Sequence, residues 1–90
     1  MYNYNAWIPY EKEEILVKKF ENMLLKSGFT IIKKVDHFFD VQGYTALWLL
    51  AESHFAIHTF PEKNKVYIEI SSCVKRYFDE FLEELKEEKY

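Results

Sequence analysis

The chain has 90 residues, a formal net charge of −3 and a pI near 5.6. This length favours a single domain over residues 1–90. Nucleic-acid binding requires clustered Lys or Arg, and no basic face stands out, so we expect no nucleic-acid partner. No apolar run reaches the roughly 20 residues of a membrane span, and no signal-peptide pattern opens the chain. We therefore expect a cytoplasmic protein without a membrane partner.

The apolar content is high for so short a chain. Apolar residues make up 49% of the sequence and aromatic residues 19%. A domain of this size buries only about two-thirds of its unfolded surface, so part of this material must lie outside the core. The composition favours a homo-oligomer that covers a second apolar face, and a set of aromatic side chains exposed to solvent is the simpler alternative.

The N-terminal third predicts a strand followed by a helix. Residues 1–8 alternate in polarity and predict an edge strand that Pro9 ends. From about Tyr10 the apolar period becomes helical, and Gly28 ends the helix as a C-terminal cap. The predicted apolar stripe comprises Ile15, Leu16, Phe20, Met23 and Leu24. The acidic residues expected in the first turn are Glu11, Glu13 and Glu14.

The rest of the chain predicts four strands and a second helix. The strands span residues 29–39, 44–51, 53–60 and 65–72, separated by turns at 40–43 and 61–64. The segment 46–50 hardly alternates, which indicates burial on both faces of its strand. The final helix begins near Cys73, and we expect its charged end, residues 83–89, to fray. Its predicted apolar side comprises Val74, Tyr77, Phe78, Phe81, Leu82 and Leu85.

This order of elements predicts an α+β fold. Hairpin-length links imply an antiparallel sheet, and two helices on one face make a two-layer sandwich. The uncovered face would carry Trp48 or its neighbours, and a second copy of the chain would bury it.

Polar and titratable groups are concentrated in the strand at residues 53–60. Its alternation places Phe55, Ile57 and Thr59 on one face, and His54, Ala56, His58 and Phe60 on the other. Glu52 and Ser53 stand side by side where the strand begins. Such groups cost free energy within an apolar strand unless they have partners, which makes this stretch the candidate site.

General enzyme templates fit the stretch poorly. A hydrolase serine usually stands on a glycine-flanked elbow, which Ser53 lacks. A zinc site from His54, His58 and Cys73 is disfavoured, because residues i and i+4 of a strand lie about 13 Å apart. We expect no metal. A nucleophile pair of Cys73 with His58 stays open, as does a structural, hydrogen-bonded role for the histidine.

The spacing of several residue types points to one family. Glu52-Ser53-His54, Ile57-His58-Thr59, Pro61-Glu62 and Ser72-Cys73 stand at fixed intervals. This constellation resembles the prokaryotic S-adenosylmethionine decarboxylases, which are pyruvoyl enzymes of spermidine biosynthesis. The resemblance is strong over residues 39–73 and loose outside them.

The resemblance implies a self-processing decarboxylase acting on S-adenosylmethionine. The Ser53 hydroxyl would attack the carbonyl of Glu52, and elimination would cut the chain into a β chain, residues 1–52, and an α chain, residues 53–90. Ser53 would become the pyruvoyl cofactor, whose ketone withdraws electrons from the bond to the departing carboxylate.

The resemblance also assigns roles to individual residues. His58 would remove the α-proton of Ser53 during elimination, and Cys73 would return a proton to the product. Thr45 stands where the family has a serine that steadies the processing intermediate. Phe39 would stack on adenine and Glu62 would bind the ribose hydroxyls. Phe60 replaces a tryptophan often found there, and core packing competes with ligand contact for Phe39 and Phe60.

Ser53 and His58 have opposite strand parity, so one flat strand cannot direct both side chains to one point. The family meets this requirement with a homodimer whose active sites draw on both protomers. The chain departs from the family at Val74, where glycine is usual, and lacks the Gly-x-His opening of the first strand. Two alternatives stay open: a pyruvoyl-dependent arginine or ornithine decarboxylase, and a non-cleaving, non-catalytic partner subunit.

Overall fold

The computed structural model describes all residues, 1–90, and contains five strands and two helices. In chain order they are β1 (Tyr2–Pro9), α1 (Glu13–Ser27), β2 (Ile31–Phe38), β3 (Tyr44–Leu50), β4 (Ser53–Phe60), β5 (Lys65–Ser72) and α2 (Lys75–Glu87). A short 3-10 turn at Pro61–Lys63 connects β4 to β5. None of the helices has the length and apolar character needed to cross a membrane.

The strands form one antiparallel sheet in the order β1-β5-β4-β3-β2. Both helices pack on the same face, so the predicted α+β two-layer sandwich is confirmed, and β1 lies at an edge as expected. The centre of the core is aromatic. The Phe55 ring lies 5.0 Å from Phe20 of α1 and 5.3 Å from Phe81 of α2, measured between ring centroids.

Strands β4 and β5 follow their predicted alternation. Phe55, Ile57 and Thr59 are buried beneath the helices, as are Val66, Ile68 and Ile70 of β5. Because the four-residue turn pairs Phe60 with Lys65, the antiparallel register brings Ser53 opposite Ser72 at the far end of the hairpin. The register of this hairpin therefore positions the candidate site.

Strand β3 is not buried on both faces of this chain, contrary to the sequence prediction. Trp48 is fully buried against the helix layer, and its indole N–H donates a hydrogen bond to Glu21 at 2.9 Å. Leu47 and Leu49 point to the uncovered face and are 49% and 53% exposed. The apolar run thus belongs to an alternating strand whose outward residues are leucines, and they give the open face an apolar surface.

The predicted limits of α1 need two corrections. Ile15 is 50% exposed and lies off the buried stripe, which consists of Leu16, Phe20, Met23 and Leu24. Glu11 precedes the first turn, because the helix begins at Glu13; its carboxylate instead accepts a hydrogen bond from the ammonium of Lys19 at 2.7 Å.

The limits of α2 also differ from the prediction. Val74 precedes the helix and is not part of its apolar side. The predicted fraying of residues 83–89 is wrong over most of its length, since the helix continues to Glu87 and buries Leu85. Beyond it the ring of Tyr90 stacks on Phe20 at 6.0 Å, and its hydroxyl accepts a hydrogen bond from Lys19 at 2.9 Å.

The cap of α1 provides a test of the packing between α1 and α2. Gly28 and Gly43 both have a φ of 109°, which side chains disfavour. A Cβ at Gly28 would lie 2.7 Å from the ring of Tyr77, whereas one at Gly43 would meet nothing closer than 3.6 Å. Gly43→Ala should therefore lower the free energy of unfolding by about 1 kcal/mol, and Gly28→Ala by about 2–4 kcal/mol.

Urea denaturation checks this expectation on chains that also carry Ser53→Ala, so that the self-cleavage implied by the resemblance does not divide the sample. Equal losses in the two variants would contradict the close approach of Tyr77 to the helix cap.

Candidate active site

The tightest connection in the sheet lies between β3 and β4. Leu50 pairs with Ser53, so only Ala51 and Glu52 make the turn. Glu52 has a φ of 59°, in the left-handed region. This conformation costs a residue with a side chain roughly 1–2 kcal/mol. Strain is therefore stored at the residue directly before the bond that the sequence predicts to be cut.

The carbonyl group of Glu52 is held by the end of β5. Its oxygen accepts a hydrogen bond from the backbone N–H of Cys73 at 3.2 Å. A donor in this place draws electron density from the carbonyl carbon and would stabilise negative charge on the oxygen. The geometry thus favours attack by a nucleophile on this carbonyl.

The hydroxyl of Ser53 lies in the helix-covered layer of the sheet. The residue is only 6% exposed, and its Oγ donates a hydrogen bond to Oγ of Ser72 at 2.7 Å. Ser72 has no exposed surface. The nucleophile that the sequence predicts is therefore buried, hydrogen-bonded and adjacent in the chain to the carbonyl of Glu52.

The backbone and the side chain of Cys73 lie in different surroundings. The N–H contacts the turn at Glu52, whereas the residue itself is exposed and its Sγ lies 3.0 Å from Sδ of Met1. The thiol thus stands at the surface beside the start of β4.

His58 lies on the other face of the sheet, as its strand parity predicts. Its Nδ1 is 3.0 Å from Oγ1 of Thr45, the residue directly opposite on β3. The hydrogen bond orients the imidazole and uses Nδ1, so Nε2 is the nitrogen left for proton exchange.

Aromatic side chains surround His58 in a shallow cavity lined by Trp7, His58, Phe60 and Tyr67. The Trp7 ring lies 5.5 Å from Phe60 and 5.2 Å from Tyr67, and the Lys65 ammonium stands 4.2 Å over its face. The hydrogen bond from Tyr67 to Glu69 raises the pKa of the phenol above its ordinary value.

Phe39 and Glu62, the two remaining predicted ligand contacts, lie in loops at the end of the sheet that carries His58. Phe39 stands in the turn between β2 and β3 and is 53% exposed, so the alternative that it packs in the core is wrong. Its ring contacts His37 at 4.8 Å. Glu62 is exposed in the 3-10 turn, and Phe60 is half-buried against Trp7.

The candidate residues therefore form two groups within one chain. Glu52, Ser53 and Cys73 lie where β4 begins. The other group, which lies toward the end of β4, consists of Thr45, His58, Phe60, Glu62 and Phe39. The distance along β4 from Ser53 to His58 is about 17 Å, and their side chains point to opposite faces. One chain does not bring these two side chains together. Nor does it gather any three His, Cys, Asp or Glu side chains into a metal-binding cluster.

Comparison with known proteins gives the family. The profile described as S-adenosylmethionine decarboxylase matches residues 8–89. The S-adenosylmethionine decarboxylase proenzyme of Archaeoglobus fulgidus is 37% identical, over 88% of this chain and 75% of that protein. This chain belongs to the S-adenosylmethionine decarboxylase family.

Two further comparisons agree. The proenzyme of the same name from Geobacillus sp. strain WCH70 is 38% identical over 67% of this chain, which spans 48% of that protein. The crystal structure of the adenosylmethionine decarboxylase from Aquifex aeolicus superposes with a TM-score of 0.69 at 21% identity, covering 93% of this chain and 78% of that one. The structural likeness supports the S-adenosylmethionine decarboxylase fold.

Three residues around the candidate site of this S-adenosylmethionine decarboxylase family member could not be read from the resemblance. Ser72 contacts the Ser53 hydroxyl, and Trp7 and Tyr67 stand around His58. A signal for Ser72 was available: the turn at 61–64 fixes the β4–β5 register, and that register pairs Ser72 with Ser53. Trp7 carried no such signal, because the pairing of β1 with β5 joins distant parts of the chain.

The contact between Thr45 and His58 predicts a change in the histidine ring that spectroscopy can detect. Thr45→Val removes the hydroxyl but keeps the volume, so the ring should lose its preferred tautomer, whereas Thr45→Ser should keep it. Nitrogen-15 NMR of His58 measures the tautomer ratio. The loss of stability should be modest, about 0.5–1.5 kcal/mol. Identical ring spectra for the Val and Ser variants would contradict the contact.

Proposed function

We propose that this chain is a pyruvoyl-dependent S-adenosylmethionine decarboxylase of spermidine biosynthesis, which forms its cofactor by cutting itself between Glu52 and Ser53. The proposal rests mainly on the geometry at this bond in a member of the family. The buried hydroxyl of Ser53 directly follows Glu52, which has a left-handed backbone conformation, and the carbonyl of Glu52 accepts a hydrogen bond from the N–H of Cys73. Nucleophile, electrophile and oxyanion donor thus occur together at the predicted cleavage bond.

Cleavage of the chain takes two steps, and a third reaction, with water, completes the pyruvoyl group. Oγ of Ser53 bonds to the carbonyl carbon of Glu52, the peptide C–N bond breaks, and the hydroxyl proton passes to the released nitrogen, leaving an ester. A base then removes the α-proton of Ser53, and Glu52 departs as a carboxylate. Reaction of the new chain end with water releases ammonia and leaves the pyruvoyl group. The products are residues 1–52 and residues 53–90. The left-handed conformation of Glu52 favours the first step, because breaking the peptide bond after this residue relaxes the strained turn.

The residues around the cleavage bond fit a pyruvoyl group. Such a group supplies a ketone that accepts electrons as carbon dioxide leaves. The N–H of Cys73 is bonded to the turn at Glu52 and its thiol is exposed, which supports a role for this thiol in returning a proton to a product held at residue 53. Phe39 offers an exposed ring for adenine, and Glu62 offers an exposed carboxylate for ribose hydroxyls.

We further propose that the working enzyme is a homodimer joined through the open face of the sheet. His58 lies too far from Ser53 of its own chain to act as the base. A second copy stacked on the open face would bring His58 of the partner subunit to the start of β4, where Ser53 lies. The Phe39, Phe60 and Glu62 group would arrive with it, since these residues lie at the same end as His58.

The open face has the apolar character that such a contact needs. Trp7, Val35, Leu47 and Leu49 are 53%, 57%, 49% and 53% exposed on it. A row of large apolar side chains in a chain this small is typical of a protein interface. Residue 53 would become a free chain end after the cut, and could then turn from the helix layer toward this face.

Decarboxylation of S-adenosylmethionine tests the proposed activity. The purified chain should release labelled carbon dioxide from carboxyl-labelled S-adenosylmethionine and none from labelled arginine or ornithine. Ser53→Ala should abolish release, because no pyruvoyl group can form. Ser71→Ala, which removes a neighbouring serine hydroxyl on the open face of β5, should keep the activity. Release from arginine or ornithine alone would overturn the substrate, and a chain inert toward all three would favour the non-catalytic alternative.

The open face predicts the oligomeric state. Leu47→Glu places a charge in the proposed interface and should convert a dimer to a monomer in sedimentation experiments. Ile15→Glu, at a helix position with nearly the same exposure, 50% against 49%, should leave the dimer intact. A dimer in both variants, or a monomeric natural sequence, would refute this interface.

Mixing two inactive chains tests whether the sites are shared. Ser53→Ala lacks the nucleophile and His58→Ala lacks the base, so neither should form a complete site alone. Co-expression should restore about a quarter of the sites, because half of the dimers are mixed and each of these has one complete site. If both residues acted within one chain, no site would be restored.

A further inference from the structure

We infer that Ser72 is a positioning residue for self-cleavage: its hydroxyl holds the hydroxyl of Ser53 for attack on the carbonyl of Glu52. The inference rests on the self-cleavage proposed above. It is carried by the contact of 2.7 Å between the two Oγ atoms and by the position of Ser72 directly before the residue whose N–H holds that carbonyl.

The hydroxyl of Ser72 is itself fixed on every side. Its Oγ accepts hydrogen bonds from the Ser53 hydroxyl at 2.7 Å and from the Val74 N–H at 2.9 Å, and it donates to the Val74 carbonyl at 3.4 Å. One donated and two accepted bonds use the full capacity of a serine hydroxyl. Ser72 has no exposed surface, and it lies in β5, which is flanked by β1 and β4. It therefore has little freedom to turn away from Ser53.

This arrangement determines the orientation of the nucleophile. An unrestrained serine hydroxyl occupies three staggered rotamers, and only some of them direct a lone pair at the preceding carbonyl. Donation to Ser72 fixes the position of Oγ of Ser53 and turns its proton away from the carbonyl. His58 of the same chain cannot provide this restraint, because it points to the opposite face. Orientation of reacting groups contributes strongly to the rate of intramolecular reactions.

Three consecutive residues thus hold both partners of the reaction. Ser72 holds the nucleophile, Cys73 holds the oxygen of the attacked carbonyl, and Val74 ties the Ser72 hydroxyl back to the same segment. The segment follows β5 directly and precedes α2, so both neighbouring elements anchor it.

The test measures ester formation separately from the later elimination. In the His58→Ala background the ester should persist, and hydroxylamine should cleave it, so the appearance of fragments in hydroxylamine reports attack by Ser53. Adding Ser72→Ala should slow fragment appearance by at least about tenfold. Adding Ser72→Thr, which returns a hydroxyl at the same position, should restore most of the rate.

A matched variant separates positioning from general destabilisation. Thr59→Val also removes a buried hydroxyl from the helix-covered face, one that accepts the Tyr44 N–H at 2.9 Å and does not contact Ser53. It should lower the melting temperature about as much as Ser72→Ala, yet leave the rate of ester formation unchanged.

Two results would overturn the inference. Fragment appearance at an unchanged rate in Ser72→Ala would refute the role of Ser72 alone. Equal slowing in Thr59→Val would reduce that role to support of the fold. A natural sequence that is never cut would refute the self-cleavage and the role of Ser72 together.

Discussion

The hydrogen bond from the Cys73 N–H to the Glu52 carbonyl is the contact on which the candidate site depends. It joins the β3–β4 turn to the end of β5, two segments that are 21 positions apart in the sequence. The β4–β5 register makes the contact possible, because it brings Ser53 opposite Ser72 and so sets Cys73 beside Glu52. A slip of one residue would exchange the two faces of the strand and separate these groups.

The fold follows from patterns that are local in the sequence. The bounds of β4 and β5, the glycine that caps α1 and the identity of the helix-facing residues could all be predicted, since each depends on alternation, helical period or turn chemistry. The prediction for β3 failed because an apolar run cannot distinguish a strand with two buried faces from a strand with one buried face and one exposed apolar face. Leu47 and Leu49 are in the second situation.

The candidate site was predictable only in part. The residue types and their spacing indicated Ser53, His58 and Cys73, and strand parity correctly separated Ser53 from His58. What the sequence could not show was the surroundings of each group: the left-handed conformation of Glu52, the use of the Cys73 backbone and the aromatic wall around His58. These features depend on pairing between distant strands, which no local pattern specifies. The proposed dimer accounts for the separation of the two residue groups, because a second copy stacked on the open face would supply each group with the other.

The central claim is that the bond between Glu52 and Ser53 rearranges to produce a ketone. Intact mass spectrometry of the purified natural sequence, followed over time, tests it most directly. The account predicts two fragments that meet between these residues, with the second lighter by one molecule of ammonia than a fragment that begins with serine. A chain that stays whole, or a second fragment that retains its serine, would contradict the account.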